Sequence, residues 1–207
     1  MSEWPPAAAG IPLDQAGLTQ AGLTQAGLNQ VAGDEVMPDL AALERWATAQ
    51  GLLLRLRLGR RLGIRALQVG VARPLGPGQA QLLGELKGWA LPSAAGLQLD
   101  TMRVQGQGTA LVGPLIWAAT FAWALEATPC RSARLLAIHD DDRQHRRLVR
   151  YFSRLGFEPV RELGAGPADL PLRLIWGGAG LLMRGDCAEG LRRCQRRLAR
   201  ADQGRAA

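Results

Sequence analysis

The chain has 207 residues, the length of one domain of about 150 residues with tails. Hydrophobic residues make up 47%, enough for a core, and no apolar run reaches the ~18 residues of a membrane span. With no basic region behind Met1, no secretory leader is expected, and a cytoplasmic location is. The net charge is +7 and nearly all the positive charge is arginine, with Lys87 the only lysine, so the surface attracts anions. Cys130, Cys187 and Cys194 are odd in number and lack C-x-x-C spacing, which points to free thiols rather than a disulfide or metal framework.

Residues 15–29 repeat Gln-Ala-Gly-Leu-Thr/Asn three times. The period resembles that of pentapeptide-repeat proteins, but three copies do not complete one four-sided coil. Residues 1–34 therefore read as a low-complexity tail, residues 35–186 as the folded domain and residues 187–207 as a basic C-terminal helix. Asp39 precedes Leu40, Leu43, Trp46 and Ala47 at helical spacing, and Gly51 ends that helix. Leu52–Leu58 alternates leucine with arginine, a strand with one wet face. Leu67, Val69 and Val71 mark a second strand, stopped by Pro74. Leu82–Leu91 is a third and Leu97–Val104 a fourth. The helix from Pro114 to Ala127 is apolar nearly all round and should be buried. Ala133–Ile138 is a continuous apolar run, as for a central parallel strand. Asp141 or Asp142 caps a helix that carries Leu148, Phe152 and Leu155 on one face, with Tyr151 at its edge. Residues 157–163 and 171–176 read as the last strands, before a basic amphipathic helix from Asp186 to Arg200.

Between the fourth strand and the apolar helix lies Gln105-Gly106-Gln107-Gly108-Thr109-Ala110-Leu111-Val112-Gly113, then Pro114. A glycine loop entering a helix N-terminus offers unpaired backbone N–H groups and a positive dipole end, which suit a phosphate. Pro114 fits the first helical turn, where its missing N–H costs nothing.

This order, closed by Arg154-Leu155-Gly156-Phe157, resembles the GNAT superfamily of acyl-CoA-dependent N-acyltransferases over residues 97–163. The resemblance implies an α/β fold: a central mixed sheet flanked by helices, with a splayed strand pair holding CoA. It implies acetyl-CoA as co-substrate and an amine, on a small molecule or a protein, as acceptor. No metal and no membrane enter this reading. The family loop, Arg/Gln-x-x-Gly-x-Gly/Ala, fits in two registers, Arg103-x-x-Gly106-x-Gly108 and Gln105-x-x-Gly108-x-Ala110. The implied cofactor contacts are therefore the backbone from Gly106 through Gln107, Gly108, Thr109, Ala110, Leu111 and Val112 to Gly113. Met102, Arg103 and Val104 would pair through their backbone with the pantetheine arm. The family's two helices after the first strand are not both found; only one clear helix precedes the sheet.

The family often places a thiolate-protonating tyrosine five residues before the Phe of Leu-Gly-Phe. That slot is Phe152, and the chain's only tyrosine, Tyr151, lies one residue earlier, about 100° round the helix. The family's asparagine slot is His145. Tyr151 is either the acid or a core-edge residue. Asp100, leading into the loop, and His139, after the central strand, are the candidate bases. Neither is a strong one. Neutralising a lysine at pH 7 costs about 4.6 kcal/mol and an α-amine about 1.1, which leans toward weakly basic acceptors. The competing readings are a non-catalytic acyl-CoA sensor, motivated by Phe152 and His145, and a nucleic-acid-associated protein, motivated by the arginines of 55–65 and 184–205. The last is disfavoured because no stacking platform or known motif accompanies the charge. The arginines of the tail are expected to act on a bound cofactor only through a screened field.

Overall fold

A computed structural model describes residues 37–106, 108–164 and 166–206. The repeat at 15–29 and Gln107 lie outside the described residues. Val36–Ala207 forms one compact unit. Its element order is α1 (Leu40–Ala49), β1 (Leu53–Arg61), β2 (Ile64–Gly76), β3 (Gln79–Ala90), β4 (Leu97–Val104), α2 (Val112–Ala127), β5 (Ser132–Ile138), α3 (Asp142–Arg154), β6 (Phe157–Leu163), α4 (Leu170–Trp176), β7 (Gly180–Asp186) and α5 (Cys187–Ala206).

The sheet has the order β1-β2-β3-β4-β5-β7-β6. β1 to β4 form an antiparallel meander. β5 runs parallel to β4 and antiparallel to β7, which also pairs antiparallel with β6. β4 and β5 pair only at Leu97–Leu99 with Ala133–Leu135, then part. Where they part, β4 carries a bulge: Thr101 faces Lys87 and Leu99 faces Gly88, so Asp100 is the extra residue. This is the expected α/β arrangement, a mixed sheet flanked by helices with one splayed strand pair.

α2 is the centre of the core. Val112, Leu115, Ile116, Trp117, Phe121 and Trp123 are all buried, as expected of a helix apolar on every side. Its one interior hydroxyl is satisfied, since Thr120 Oγ1 donates to the Ile116 carbonyl at 2.8 Å. α5 lies on α2 at close range. A Cβ on Gly190 would come within 2.5 Å of the Phe121 ring, so only glycine permits this approach. Cys187, Leu191, Cys194 and Leu198 of α5 are buried in the same core. Asp202 ties its far end to α1, accepting from Trp46 Nε1 at 3.0 Å and Gln50 Nε2 at 2.6 Å. The C-terminal helix set apart in sequence is therefore part of the core packing.

Three local expectations change. Residues 171–176 form a helix, α4, not a strand. Pro171 sits in its first turn and Gly177 closes it at φ +76°, the usual proline-first, glycine-last order. The final strand is β7, Gly180–Asp186, a segment to which the sequence reading assigned no strand. β2 runs past Pro74 to Gly76, because the register shifts there and a bulge tolerates the missing N–H.

Among the described residues, no helix is long and apolar enough to cross a membrane. The three cysteines are free and buried. Burial raises the thiols of Cys187 and Cys194 from the ordinary 9.0 to about 12. Both stay protonated in the folded chain to about pH 12 but ionise near 9.0 once unfolded. Their contribution to stability is whole below pH 9 and is lost as pH rises through that window. Each thiol then costs about 1.4 kcal/mol per pH unit. Urea midpoints should hold steady from pH 7 to about 8.5 and fall steeply by about 10.5. An unchanged midpoint at that pH would contradict the burial of the two thiols as ionisable groups.

Candidate functional site

The glycine loop turns on Gly106 at φ +94° and Gly108 at φ +68°, a region where L side chains are strained. Gln105 N–H still donates to the Leu83 carbonyl, so the loop leaves the sheet only after that residue. α2 then begins without a side-chain cap at Leu111. Val112 N–H is taken by the Thr109 carbonyl at 3.0 Å, and Pro114 has no N–H. Among the described residues, the N–H groups of Gly108, Thr109, Ala110 and Leu111 have no intramolecular acceptor. Gly113, in the first turn, is likewise open to an external acceptor.

Thr109, Ala110, Leu111 and Gly113 border a cleft of about 560 Å³. One wall is Met102 and Val104 at the end of β4, and the floor is Thr109–Leu111 with Gly113 and Pro114. The far wall is Leu148, Tyr151 and Phe152 of α3, and α5 adds Arg197 and Ala201. A smaller crevice between the parted strands adjoins it, lined by Leu99, Asp100, Thr101, Leu135, Leu136 and Phe152. The two meet at Met102 and Phe152. Beyond Leu99, β4 has no β5 partner, so its backbone is open to an extended ligand there.

Tyr151 and Phe152 divide the work of adjacent helix positions. Phe152 packs edge-on to Trp117, with ring centroids 6.2 Å apart, and to Phe157 at 6.1 Å. Tyr151 brings the polar atom. Its hydroxyl oxygen accepts a 2.9 Å hydrogen bond from buried Trp117 Nε1. The oxygen is thus held from the core side, and the phenolic proton is left for another acceptor. Burial raises the Tyr151 pKa above 10.0, while the Trp117 hydrogen bond and the Arg197 charge act weakly against it. The phenol is neutral at physiological pH and able to donate.

The other sequence candidates are spread out. Asp100 stands exposed on its bulge, in the crevice between the strands. Arg103 is exposed and faces Glu85 across the ladder. The Val112 side chain is core, not cleft. His139 and His145 lie outside the cleft lining, at the end of β5. Their rings stack at 4.5 Å, His139 Nε2 meets Asp142 Oδ1 at 2.7 Å, and His145 Nδ1 meets the Ile138 carbonyl at 3.2 Å. The hydrogen bond and charge of His139 hold Asp142 below the ordinary carboxylate value. Among the described residues no group of three or more His, Cys, Asp or Glu is placed to hold a metal.

Sequence reasoning missed Trp117, Arg197 and Ala201. Trp117 follows Gly113 by four residues, one helical turn along the same face. Arg197 and Ala201 share a face of α5 by the same spacing. Their signal was present, but nothing local says which helix packs beside the loop.

No family model and no curated protein sequence matches the chain. Among solved structures it is similar to an uncharacterized protein from Bacillus halodurans, with 14% identity and a TM-score of 0.43 over 68% of each chain. It is also similar to a nourseothricin acetyltransferase, with 12% identity and a TM-score of 0.39 over 66% of this chain and 88% of that one. Neither likeness assigns an activity to this chain.

Proposed function

We propose that this protein is an N-acetyltransferase of GNAT type that moves an acetyl group from acetyl-CoA directly to an amine. The observation that carries the reading is one cleft bordered by three things: the open N–H groups of the glycine loop, the unpaired end of β4, and a phenol whose oxygen is held from behind. The loop would hold the diphosphate, and Met102–Val104 would align the pantetheine arm. The thioester supplies an activated acetyl carbon. A neutral amine attacks it, and the C–N bond forms as the C–S bond breaks. Tyr151 gives its proton to the departing sulfur and recovers one from solvent. Asp100, in the crevice between the parted strands, takes the surplus proton from nitrogen through water. His139 is already engaged by Asp142 and is the weaker base candidate. With so modest a base, α-amines should be turned over ahead of lysine-type amines.

A non-catalytic acyl-CoA sensor is the second reading. β1 runs straight into β2 through Leu62 and Gly63, so no helices stand after the first strand to wall an acceptor pocket. Calorimetry with acetyl-CoA, followed by thiol release with a panel of primary amines, tests both readings. Binding with turnover supports the enzyme, and binding without turnover on any amine favours the sensor. Absence of acetyl-CoA binding removes both.

A further inference from the structure

The meander β1–β4 has one covered face and one open face. A Cβ on Gly84 of β3 would sit 2.8 Å from Val112 and 3.0 Å from Ile116, both on α2, so Gly84 marks the covered side. Side chains alternate along a strand, so Glu85 and Lys87 point the other way. The ladder sets Arg57, Gln68, Lys87 and Thr101 in one row across the open face, and Arg55, Glu85 and Arg103 in the next. All the cations of these two rows are exposed. Glu85 is engaged by Gln68, whose Nε2 donates to it at 3.0 Å. Among the described residues no carboxylate lies within ion-pair distance of Arg55, Lys87 or Arg103. The open face thus presents a net positive field.

The crevice between the parted strands reaches this face. Leu86, Met102, Trp117 and Phe152 line it from the covered side. Thr101, in the row of Lys87, and Leu136, packed with Trp176 of α4, line it from the other. The crevice therefore passes through the sheet where β4 and β5 part. Asp100 stands on its bulge at this point. Lys87 lies one strand away from Thr101, about 5 Å, and Arg103 two residues along β4, about 7 Å. With β1 turning directly into β2, no helix after the first strand walls this mouth. The surface beside it is a flat sheet four strands wide. An extended chain advances about 3.3 Å per residue, so an amine at the mouth places its next two residues over these cations.

We propose that the acceptor is the free amine of an acidic peptide segment, laid across the open face of β1–β4 with its N-terminus in the crevice. The inference rests on the acetyltransferase reading above and names its acceptor class. Opposite charges at the mouth sort the acceptor. Asp100 meets the amine, and Lys87 and Arg103 meet carboxylates one or two residues further on, with Arg55 beyond them. A basic segment is repelled by the same face, and a small neutral amine gains nothing from it.

Thiol release on the full chain, at saturating acetyl-CoA, tests this with three C-terminally amidated peptides: Ser-Asp-Glu-Ala, Ser-Ala-Ala-Ala and Ser-Lys-Lys-Ala. In about 0.05 M salt the wild-type kcat/KM for the acidic peptide should exceed that for the neutral one at least about fivefold, with the basic one lowest. The preference should shrink in about 0.5 M salt, as a screened field requires. Lys87→Glu replaces an attraction by a repulsion. It should cut kcat/KM for the acidic peptide by about 5- to 20-fold, while the neutral peptide and acetyl-CoA affinity change less than about threefold. Lys87→Arg keeps the charge and should keep the preference, which loss of packing would not explain. Equal wild-type turnover of acidic and neutral peptides overturns the inference, as does turnover of small amines alone. So does a Lys87→Glu variant with its preference intact. In these cases the acetyltransferase reading survives. Acetyl-CoA binding without turnover of any amine or peptide removes the enzyme reading and this inference together.

Discussion

Tyr151→Phe should cut turnover at least tenfold and leave acetyl-CoA affinity within about threefold, since acid–base groups typically contribute about 10²–10⁴-fold. The substitution removes one oxygen and keeps the ring against Phe152, whose centroid is 5.5 Å away. It also strips the acceptor from Trp117 Nε1, in a residue 1% exposed. An unpaired buried N–H costs about 1–3 kcal/mol, so the variant should melt a few degrees lower, and rates should be compared well below that melt. Two further readouts separate chemistry from packing. Because burial holds the phenol protonated above pH 10.0, wild-type kcat should not decline through loss of this acid below that pH. A thioester of a more acidic thiol needs less protonation on leaving, so the deficit should shrink with it. Unchanged turnover with acetyl-CoA would take Tyr151 out of the mechanism and leave water as the acid.

The strands and the loop were legible in sequence because each rests on local chemistry. Leucine–arginine alternation marks a strand with one wet face, and the glycines at 106 and 108 mark a turn that needs positive φ. The apolar helix after the loop could only be a core helix. Errors arose where two local patterns compete. The run Leu172-Arg173-Leu174-Ile175-Trp176 suits a short strand, but Pro171 and Gly177 punctuate it as a helix. Once that segment was taken as a strand, β7 lost its place, although Leu181–Met183 is as apolar as any other strand here.

The site was half legible. The loop and α3 are close in sequence to the motifs that point to them, so the cleft's floor and far wall were found by position. Tyr151 stood one residue from the expected slot, and only packing shows that Phe152 fills the gap while Tyr151 carries the hydroxyl. Arg197 had only its spacing from Ala201 to mark it, because it comes from a terminal helix that reads as a solvated basic face. Its buried Cys187, Leu191, Cys194 and Leu198 show why such a helix cannot be set aside as a tail.

Gly113→Leu should abolish acetyl-CoA binding, with a loss above about a hundredfold, while the chain stays folded. Gly113 is the second residue of α2 and is buried. A Cβ there would meet Tyr151 Oη at 3.4 Å and Met102 Cε at 3.8 Å. Those distances are ordinary van der Waals contact, so Gly113→Ala should fit. Alanine also gains about 1 kcal/mol over glycine in a helix, and its affinity should fall less than about tenfold. Leucine adds three more carbons, and the open space beside that Cβ is the cleft itself, between β4 and α3. They would stand where the proposed pantetheine arm passes, displacing either the ligand or the Tyr151 hydroxyl. The fold should survive because the new atoms enter an open cleft rather than a packed core. The graded pair distinguishes occlusion from misfolding: alanine near wild type and leucine dead, with equal thermal melts, is the expected pattern. Tight acetyl-CoA binding by a folded Gly113→Leu variant would place the cofactor elsewhere on the molecule.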